Sequence, residues 1–200
     1  MKKTTSQLLF ASFVLFQFQT ANAFFCPQSL SKNEKKMVFF DLGETLITAP
    51  RKKNNPNAIT KTSFVRGARE YLLKLKKMNV KLALISNVPE DWGKTRQDRI
   101  ERLKQEIQKT WKDKNPFQWA LFENRIIVPM DNAHKKPAPD MFVEAKEMAA
   151  KMGMQPIFQG DDLKEVEAAQ LVGMKAHQVD TKKHDFINSQ CFLNSISYIK

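Results

Sequence analysis

The sequence predicts an α/β protein with a Rossmann-like three-layer sandwich, in which a mostly parallel five-stranded sheet lies between two layers of helices. Two observations predict this fold class. Short apolar runs alternate with longer segments whose apolar residues recur at helical spacing, and that alternation is typical of a parallel sheet covered on both faces. The chain also has 200 residues, of which 42% are hydrophobic, and this is enough for the core of a single domain.

Five apolar runs predict the strands, at 37–40, 80–85, 126–128, 157–159 and 175–179. Between them, segments with one apolar face predict helices at 67–78, 94–112, 139–152 and 162–172. In the second helix that face consists of Ile100, Leu103, Ile107 and Trp111, and most other positions are polar or charged. Gly173 follows the last helix, and glycine commonly ends a helix in this way.

The start of the chain has the pattern of a signal peptide. Two lysines precede an apolar run at 8–18, and Ala-Asn-Ala at 21–23 supplies the small residues at which a signal peptidase cuts. The apolar run is about half the ~20 residues that a membrane-spanning helix needs, so we expect no permanent membrane span after cleavage. The prediction is a signal peptide at 1–23, export to the periplasm or full secretion, and one mature domain at 24–200.

The chain has two cysteines, Cys26 and Cys191. Two are too few for a disulfide scaffold or a four-cysteine zinc site. In an oxidising compartment a Cys26–Cys191 disulfide would join the two ends of the mature domain, and the loop-closure model gives it up to about 4–5 kcal/mol of stabilisation. The alternative is two unpaired thiols.

Polar residues follow three of the predicted strands. Asp41 follows the first, Ser86 and Asn87 follow the second, and Asp161 and Asp162 come at the end of the fourth. The carboxyl ends of parallel strands meet at one edge of a sheet, where such folds hold their ligands. Taken singly, these residue types are also ordinary helix caps and turn residues. Their presence at successive strand ends predicts a shared site.

Four segments carry a resemblance to a known family: FFDLGETL at 39–46, LALISN at 82–87, KKPAPDMF at 135–142 and QGDDLKEVEAAQLVGM at 159–174. In this order they resemble the four motifs of the haloacid dehalogenase-like hydrolases. The resemblance covers about residues 37–180, and the last segment is the most specific of the four. It implies a Rossmann-like fold and the hydrolysis of phosphomonoesters.

The resemblance also implies a role for each polar residue at the strand ends. Asp41 matches the nucleophile that forms an aspartyl-phosphate, and Lys136 matches the cation that holds the phosphoryl oxygens. Ser86 and Asn87, with the backbone N–H groups beside them, would complete a phosphate-binding cradle at the N-terminus of a helix.

Magnesium is the cofactor that the resemblance implies. Its ligands would be the Asp41 carboxylate, the backbone carbonyl of Gly43 and the Asp161 carboxylate, with Glu165 or Asp162 acting through water.

The first motif departs from the family pattern at one position. Phosphatases of the family usually have a second aspartate two residues after the nucleophile, as the general acid and base, but this chain has Gly43 there. Loss of such a group typically costs about 10²–10⁴ in rate. Glu44, the next residue, either takes over the proton transfer or is an exposed carboxylate without a catalytic role.

Three functions follow from these residues. A Mg²⁺-dependent phosphatase is the leading prediction. A binding module that has kept the fold but lost turnover is the alternative that Gly43 suggests. A dehalogenase-type hydrolase is the third, but it is disfavoured because the acidic pair Asp161 and Asp162 is what a metal ion requires.

The intervals between the motifs predict little or no cap domain. Residues 47–63 are polar and predict a loop, and residues 88–134 hold mainly one helix and one short strand. An open site of this kind could accept a phosphorylated substrate that is large or bound to a surface. The net charge of +12 favours anionic partners in general, with basic clusters at 51–53 and 94–114, but no recognised nucleic-acid-binding motif is present.

Overall fold

The structure is a computed structural model that describes residues 34–52, 55–180, 182–183 and 185–192. The predicted signal peptide at 1–23 and Cys26 lie outside the described residues, so export and the disulfide stay predictions. Among the helices that the structure describes, none combines the length and the apolar character needed to cross a bilayer.

The described residues form nine strands, which are β1 (Lys35–Phe40), β2 (Ile47–Thr48), β3 (Arg51–Lys52), β4 (Asn55–Ile59), β5 (Ser63–Phe64), β6 (Lys81–Ile85), β7 (Ile126–Ile127), β8 (Met154–Gly160) and β9 (Lys175–Gln178). Five of them form the central sheet in the order β7-β6-β1-β8-β9, and every neighbouring pair is parallel. The predicted five-stranded sheet is confirmed, with β1 at its centre.

Four α-helices connect the strands: α1 (Ala68–Lys77), α2 (Arg96–Thr110), α3 (Asp140–Lys151) and α4 (Leu163–Leu171). Each lies within a predicted helical segment. A capping box begins α2, because the Thr95 hydroxyl accepts the N–H of Asp98 while the Asp98 carboxylate accepts the N–H of Thr95. The carboxylate of Asp162 caps α4 by accepting the N–H of Lys164.

The helices cover both faces of the sheet, as the predicted three-layer sandwich requires. Along β1, Val38 and Phe40 face one hydrophobic core, which contains the buried residues of α1 and α2. Met37 and Phe39 face the other core, with the buried residues of α3 and α4. All four side chains are fully buried, because successive residues of a strand point to opposite faces and both faces are covered.

The predicted polar loop at 47–63 is wrong, since the chain there forms two short antiparallel ribbons, β2–β5 and β3–β4. The β2–β5 ribbon is held by apolar contacts that are distant in sequence: Ile47 is fully buried, and the Phe64 ring lies 5.0 Å from that of Trp111. Thr62 adds backbone hydrogen bonds with Thr110 and Lys112. The described part of this interval holds only these short ribbons.

Gln159, near the end of β8, joins three parts of the chain. Its carbonyl oxygen accepts the N–H of Asp41 at 2.9 Å. Its side-chain amide donates to the Tyr71 hydroxyl at 3.0 Å and accepts the N–H of Ile187 at 2.8 Å. The Tyr71 hydroxyl in turn donates to the carbonyl of Ile187 at 2.7 Å. These bonds connect the residue after β1, helix α1 and the C-terminal segment.

Gly160 marks a close approach between the ends of β8 and β1. A Cβ atom there would lie 2.7 Å from the ring of Phe158 and 3.4 Å from the Cβ of Asp41, whereas a Cβ on Gly43 would meet no described atom within 4 Å. We expect Gly160→Ala to lower the free energy of unfolding by about 1–3 kcal/mol through overpacking. Gly43→Ala is the matched control and should leave stability unchanged or raise it by up to about 1 kcal/mol. Urea unfolding measures both, and equal losses in the two variants would contradict this packing argument.

Candidate active site

Asp41 lies directly after β1, at the carboxyl edge of the sheet. Its backbone N–H is bound by Gln159, and its side chain is only 13% exposed. A buried carboxylate needs a charged or hydrogen-bonding partner, since it has lost most of its contact with water. The partners come from two separate parts of the chain.

Lys136 supplies the positive charge. Its Nζ contacts a carboxylate oxygen of Asp41 and lies 2.6 Å from Oε2 of Glu165, while its side chain is 1% exposed. Burial disfavours the charged ammonium, but the charges of Asp41 and Glu165 outweigh that effect and raise the pKa of Lys136 above its ordinary value. The group is therefore a charged ammonium held between the carboxyl groups of Asp41 and Glu165.

Asn87 fixes the backbone of that lysine. Its side-chain oxygen accepts the N–H of Lys136 at 2.8 Å, and its side-chain nitrogen donates to the Lys136 carbonyl at 3.0 Å. The amide thus pairs with both backbone groups of one residue, as a neighbouring strand would. The predicted phosphate ligand Asn87 is a residue that positions Lys136, and it also lines the cleft beside Asp41.

Glu165 lies in the first turn of α4 with its side chain 11% exposed. Burial raises the pKa of Glu165 to about 7; the positive charge of Lys136 opposes this shift, while the negative charge of Asp41 adds to it. Of the two residues predicted to act through water on a metal ion, Glu165 is bound to Lys136, and Asp162 is exposed and caps α4.

Thr45 is a site residue that the sequence analysis missed. Its Oγ1 lies 3.1 Å from Oδ1 of Asp161 and 3.5 Å from Oδ2 of Asp41, so its single proton can serve either carboxylate. The same oxygen accepts the backbone N–H of Asp161 at 3.0 Å. The signal was present, because Thr45 lies four residues after Asp41 within the first motif, but the sequence alone did not indicate which group its hydroxyl would face.

The carboxylates of Asp41 and Asp161 both lie near the Thr45 hydroxyl and repel each other. Burial raises the pKa of Asp161, and the charge of Asp41 raises it further. A divalent cation with oxygen ligands would relieve this repulsion, and Mg²⁺ commonly takes one or two carboxylates together with water and substrate oxygens. In the described residues no group of three or more His, Cys, Asp or Glu side chains could hold a metal ion. The two aspartates, brought together at the Thr45 hydroxyl, are ligands of the kind that Mg²⁺ accepts, since this ion does not need a full protein cage.

A cleft of about 200 Å³ opens beside these groups. It is lined by Ala49 and by seven of the predicted site residues: Asp41, Gly43, Glu44, Ser86, Asn87, Lys136 and Glu165. Asp161 is not part of the lining and reaches Asp41 through Thr45.

The prediction that an α-helix begins beside Ser86 is wrong. A three-residue 3-10 helix (Glu90–Trp92) follows instead, and α2 begins only at Arg96. The N–H of Ser86 donates to the carbonyl of Ile127 within the sheet, so that group is already used. Ser86 itself lines the cleft and is 6% exposed, which leaves its hydroxyl as the group that could face a phosphate.

Glu44 lines the cleft from an unusual backbone conformation. Its φ is +57°, in the left-handed region that costs a non-glycine residue about 1–2 kcal/mol. Its Oε1 accepts the N–H of Ala49 at 3.0 Å, which holds the carboxylate at the rim of the cleft beside Gly43. Strain of this kind is common at functional positions.

Comparisons with known proteins agree with this architecture. No protein-family model and no curated protein matches the sequence. Among solved structures, a HAD-superfamily hydrolase from Ehrlichia chaffeensis superposes with a TM-score of 0.50 at 18% identity, over 76% of this chain and 91% of that one. A HAD-family enzyme from Bacteroides thetaiotaomicron gives 0.50 at 13% identity, over 74% of this chain and 95% of that one. The chain has the fold of the haloacid dehalogenase-like (HAD) hydrolases.

A third structure with the HAD fold is the N-terminal part of a Bacteroides fragilis protein, which contains a phosphatase domain and is complexed with Mg. It matches with a TM-score of 0.50 at 13% identity and covers 81% of this chain and 40% of that one. The fold predicted from the four motifs is thereby confirmed.

The raised pKa of Glu165 predicts how stability depends on pH. Between its ordinary value of 4.5 and about 7, folded Glu165 retains a proton that the unfolded chain has released. The free energy of unfolding should therefore fall as pH rises through this window. We expect the decrease in the free energy of unfolding over this pH range to be smaller by about 1–3 kcal/mol in Glu165→Gln than in the wild type. Denaturant unfolding in EDTA at pH 4.5, 6 and 7.5 measures it. Glu167→Gln, an exposed change on the same helix, should keep the wild-type slope, and an unchanged slope in Glu165→Gln would contradict the assignment.

Proposed function

We propose that the protein is a Mg²⁺-dependent phosphatase that hydrolyses phosphomonoesters through an aspartyl-phosphate on Asp41. The observation that carries the proposal is the buried contact of Lys136 with Asp41 and Glu165, at the carboxyl end of the central strand and with Asp161 beside it. A carboxylate poised next to a fixed cation is what nucleophilic attack on an anionic phosphoryl group requires.

The first step is attack by Asp41. A carboxylate oxygen of Asp41 forms a bond to phosphorus, the bond from phosphorus to the leaving oxygen breaks, and that oxygen takes a proton from Glu44. In the second step a water molecule attacks the phosphorus of the aspartyl-phosphate while Glu44 takes its proton. The bond between phosphorus and the Asp41 oxygen breaks and inorganic phosphate leaves, so Asp41 is again a free carboxylate and Glu44 again holds its proton.

Lys136 and Ser86 stabilise the charge on the phosphoryl oxygens. Lys136 lines the cleft and its ammonium stays charged, and the Ser86 hydroxyl is a neutral donor in the same cleft. Bound Mg²⁺ would add positive charge at the same oxygens, held by Asp41, the Gly43 carbonyl and Asp161, with Glu165 or Asp162 acting through water. The Bacteroides fragilis domain of the same fold is complexed with Mg.

Glu44 takes the role of the aspartate that the family usually has at position 43. Three features support this assignment: the carboxylate lines the cleft, it is held by Ala49, and its backbone is strained. A binding module without turnover is the second candidate function, and the missing side chain at Gly43 favours it. Aryl phosphate hydrolysis separates the two.

We place this activity outside the cytoplasm, because the segment at 1–23 has the pattern of a signal peptide. In the described residues the interval after the first motif forms two short ribbons, so a substrate that is large or bound to a surface could present its phosphate to the cleft. A Cys26–Cys191 disulfide belongs to the same proposal, since an exported protein meets an oxidising environment.

Asp41→Asn tests the nucleophile. It should reduce phosphate release from phenyl phosphate by at least about 10³-fold, because the amide oxygen is a poor nucleophile. The assay measures inorganic phosphate with Mg²⁺ or with EDTA, and chelation should abolish the wild-type activity as well. Asp113→Asn is the matched control, as Asp113 lies outside the cleft. Circular dichroism verifies folding, and undiminished release by folded Asp41→Asn would refute the proposed nucleophile.

Gly43→Asp and Glu44→Gln together test the proton transfer. A Cβ atom at position 43 meets no described atom within 4 Å, so a side chain can begin there without a clash. The amide introduced by Glu44→Gln can still accept the N–H of Ala49, but it cannot transfer a proton. We expect Glu44→Gln to lower kcat by about 10²–10⁴-fold and Gly43→Asp to restore activity in the double variant. An inert wild type with an active Gly43→Asp variant would favour the binding module, and an unchanged kcat in Glu44→Gln would remove Glu44 from the mechanism.

A further inference from the structure

A narrow apolar slot opens from the catalytic cleft. It has a volume of about 40 Å³, and its walls come from the first-motif turn, β2, the 3-10 helix and α2: Leu42, Ile47, Pro89, Trp92, Leu103 and Ile107. Gly43, Ala49, Ser86 and Asn87 line both the slot and the cleft. These four residues form the mouth of the slot, so the two spaces are neighbours across a shared boundary.

The mouth lies next to the proposed proton donor. Ala49, one of its residues, holds the carboxylate of Glu44 at 3.0 Å, and Glu44 is the proposed donor to the leaving oxygen. Lys136 and Glu165 line the cleft but not the slot. A phosphoryl group held against Lys136 would therefore direct its ester oxygen past Glu44 and its organic part toward the mouth.

The slot suits an apolar group of limited size. The described residues that line it carry no charge, and its inner wall is formed by apolar side chains. A hydroxyl placed against that wall would lose its bonds to water without replacement. A volume of about 40 Å³ has room for about three water-sized groups, which matches a short alkyl chain or the leading edge of an aromatic ring.

The walls of the slot belong to elements that pack closely on one another. Leu103 and Ile107 are one helical turn apart on α2 and are 4% and 1% exposed. Trp92 closes the slot from the 3-10 helix, and the next residue, Gly93, packs so closely on α2 that a Cβ atom there would lie 2.4 Å from the Cβ of Asp98. The opening therefore lies between elements that pack on one another.

We propose that this slot binds the leaving group of the substrate and selects phosphomonoesters of short alkyl or aromatic alcohols over those of polyols. The proposal rests on the proposed phosphatase function, and it names the substrate class of that same site. A larger molecule can still be a substrate, provided that the part next to its phosphate is apolar and enters the slot.

An alkyl phosphate series tests the slot directly. Methyl, ethyl and propyl phosphate release alcohols of nearly equal basicity, so differences in kcat/KM report binding of the chain. We expect kcat/KM to rise about fourfold for each methylene until the slot is full. Propyl phosphate should exceed its polar analogue, 2-hydroxyethyl phosphate, by about tenfold. Equal values along the series, or a preference for the hydroxyl, would overturn the proposal.

Trp92→Ala tests whether the slot causes the preference. Trp92 is half-buried, so the variant should fold, and its rise per methylene should fall to less than about twofold. The inhibition constant of inorganic phosphate should stay within about twofold of wild type, because phosphate binds in the cleft. Trp119→Ala is the matched control, since Trp119 is also half-buried but lies outside the slot and the cleft. A full chain-length dependence in Trp92→Ala would contradict the assignment.

Non-hydrolysable phosphonates separate failure of the slot from failure of the proposed function. Calorimetry with Mg²⁺ compares methyl-, propyl- and butylphosphonate on wild type and Trp92→Ala. Affinity that rises with chain length only in wild type would support the slot even if no ester is turned over, and the phosphatase proposal would then fall alone. Turnover of esters together with equal phosphonate affinities would overturn the slot and leave the phosphatase standing.

Discussion

The ammonium group of Lys136 lies between the carboxylates of Asp41 and Glu165, and the other groups of the site are arranged around this buried contact. Removing one partner of such a contact leaves uncompensated charge in the interior, which typically costs several kcal/mol. Even with the contact intact, Asp161 adds a third carboxylate through Thr45. In the proposed function this excess negative charge is what would attract a divalent cation. The Asn87 amide holds the backbone of Lys136 beside these carboxyl groups.

Much of this arrangement could be predicted from the sequence, because it follows from topology. Once strands alternate with helices, the residues after each strand meet at one edge, and Asp41 and Asn87 are adjacent for that reason. Thr45 could not be assigned in the same way, since its contact with Asp161 depends on the tight turn after β1, where the N–H groups of Leu46 and Ile47 both bond to the carbonyl of Leu42.

The ribbons at 47–64 and the slot escaped prediction for a related reason. Residues 47–63 look polar locally, and their order comes from distant partners such as Thr110 and Trp111. The apolar face of α2 correctly indicated that this helix packs against the core. The spacing of apolar residues does not show, however, where the packed side chains leave a cavity. The slot exists because Leu103 and Ile107 do not fill the space beneath Ile47 and Trp92, and only the assembled elements show that gap.

The network around Gln159 gives the C-terminal segment a share in the site. Its backbone oxygen holds the amide of Asp41, while its side chain holds Ile187 and Tyr71. If the C-terminal segment detached, Gln159 and Tyr71 would lose buried hydrogen-bond partners. Because Gln159 also binds the backbone of Asp41, the position of this proposed nucleophile would change as well. The C-terminal segment therefore supports the backbone of Asp41 from behind the sheet edge through Gln159. We expect detachment of this segment and loss of order around Asp41 to occur together.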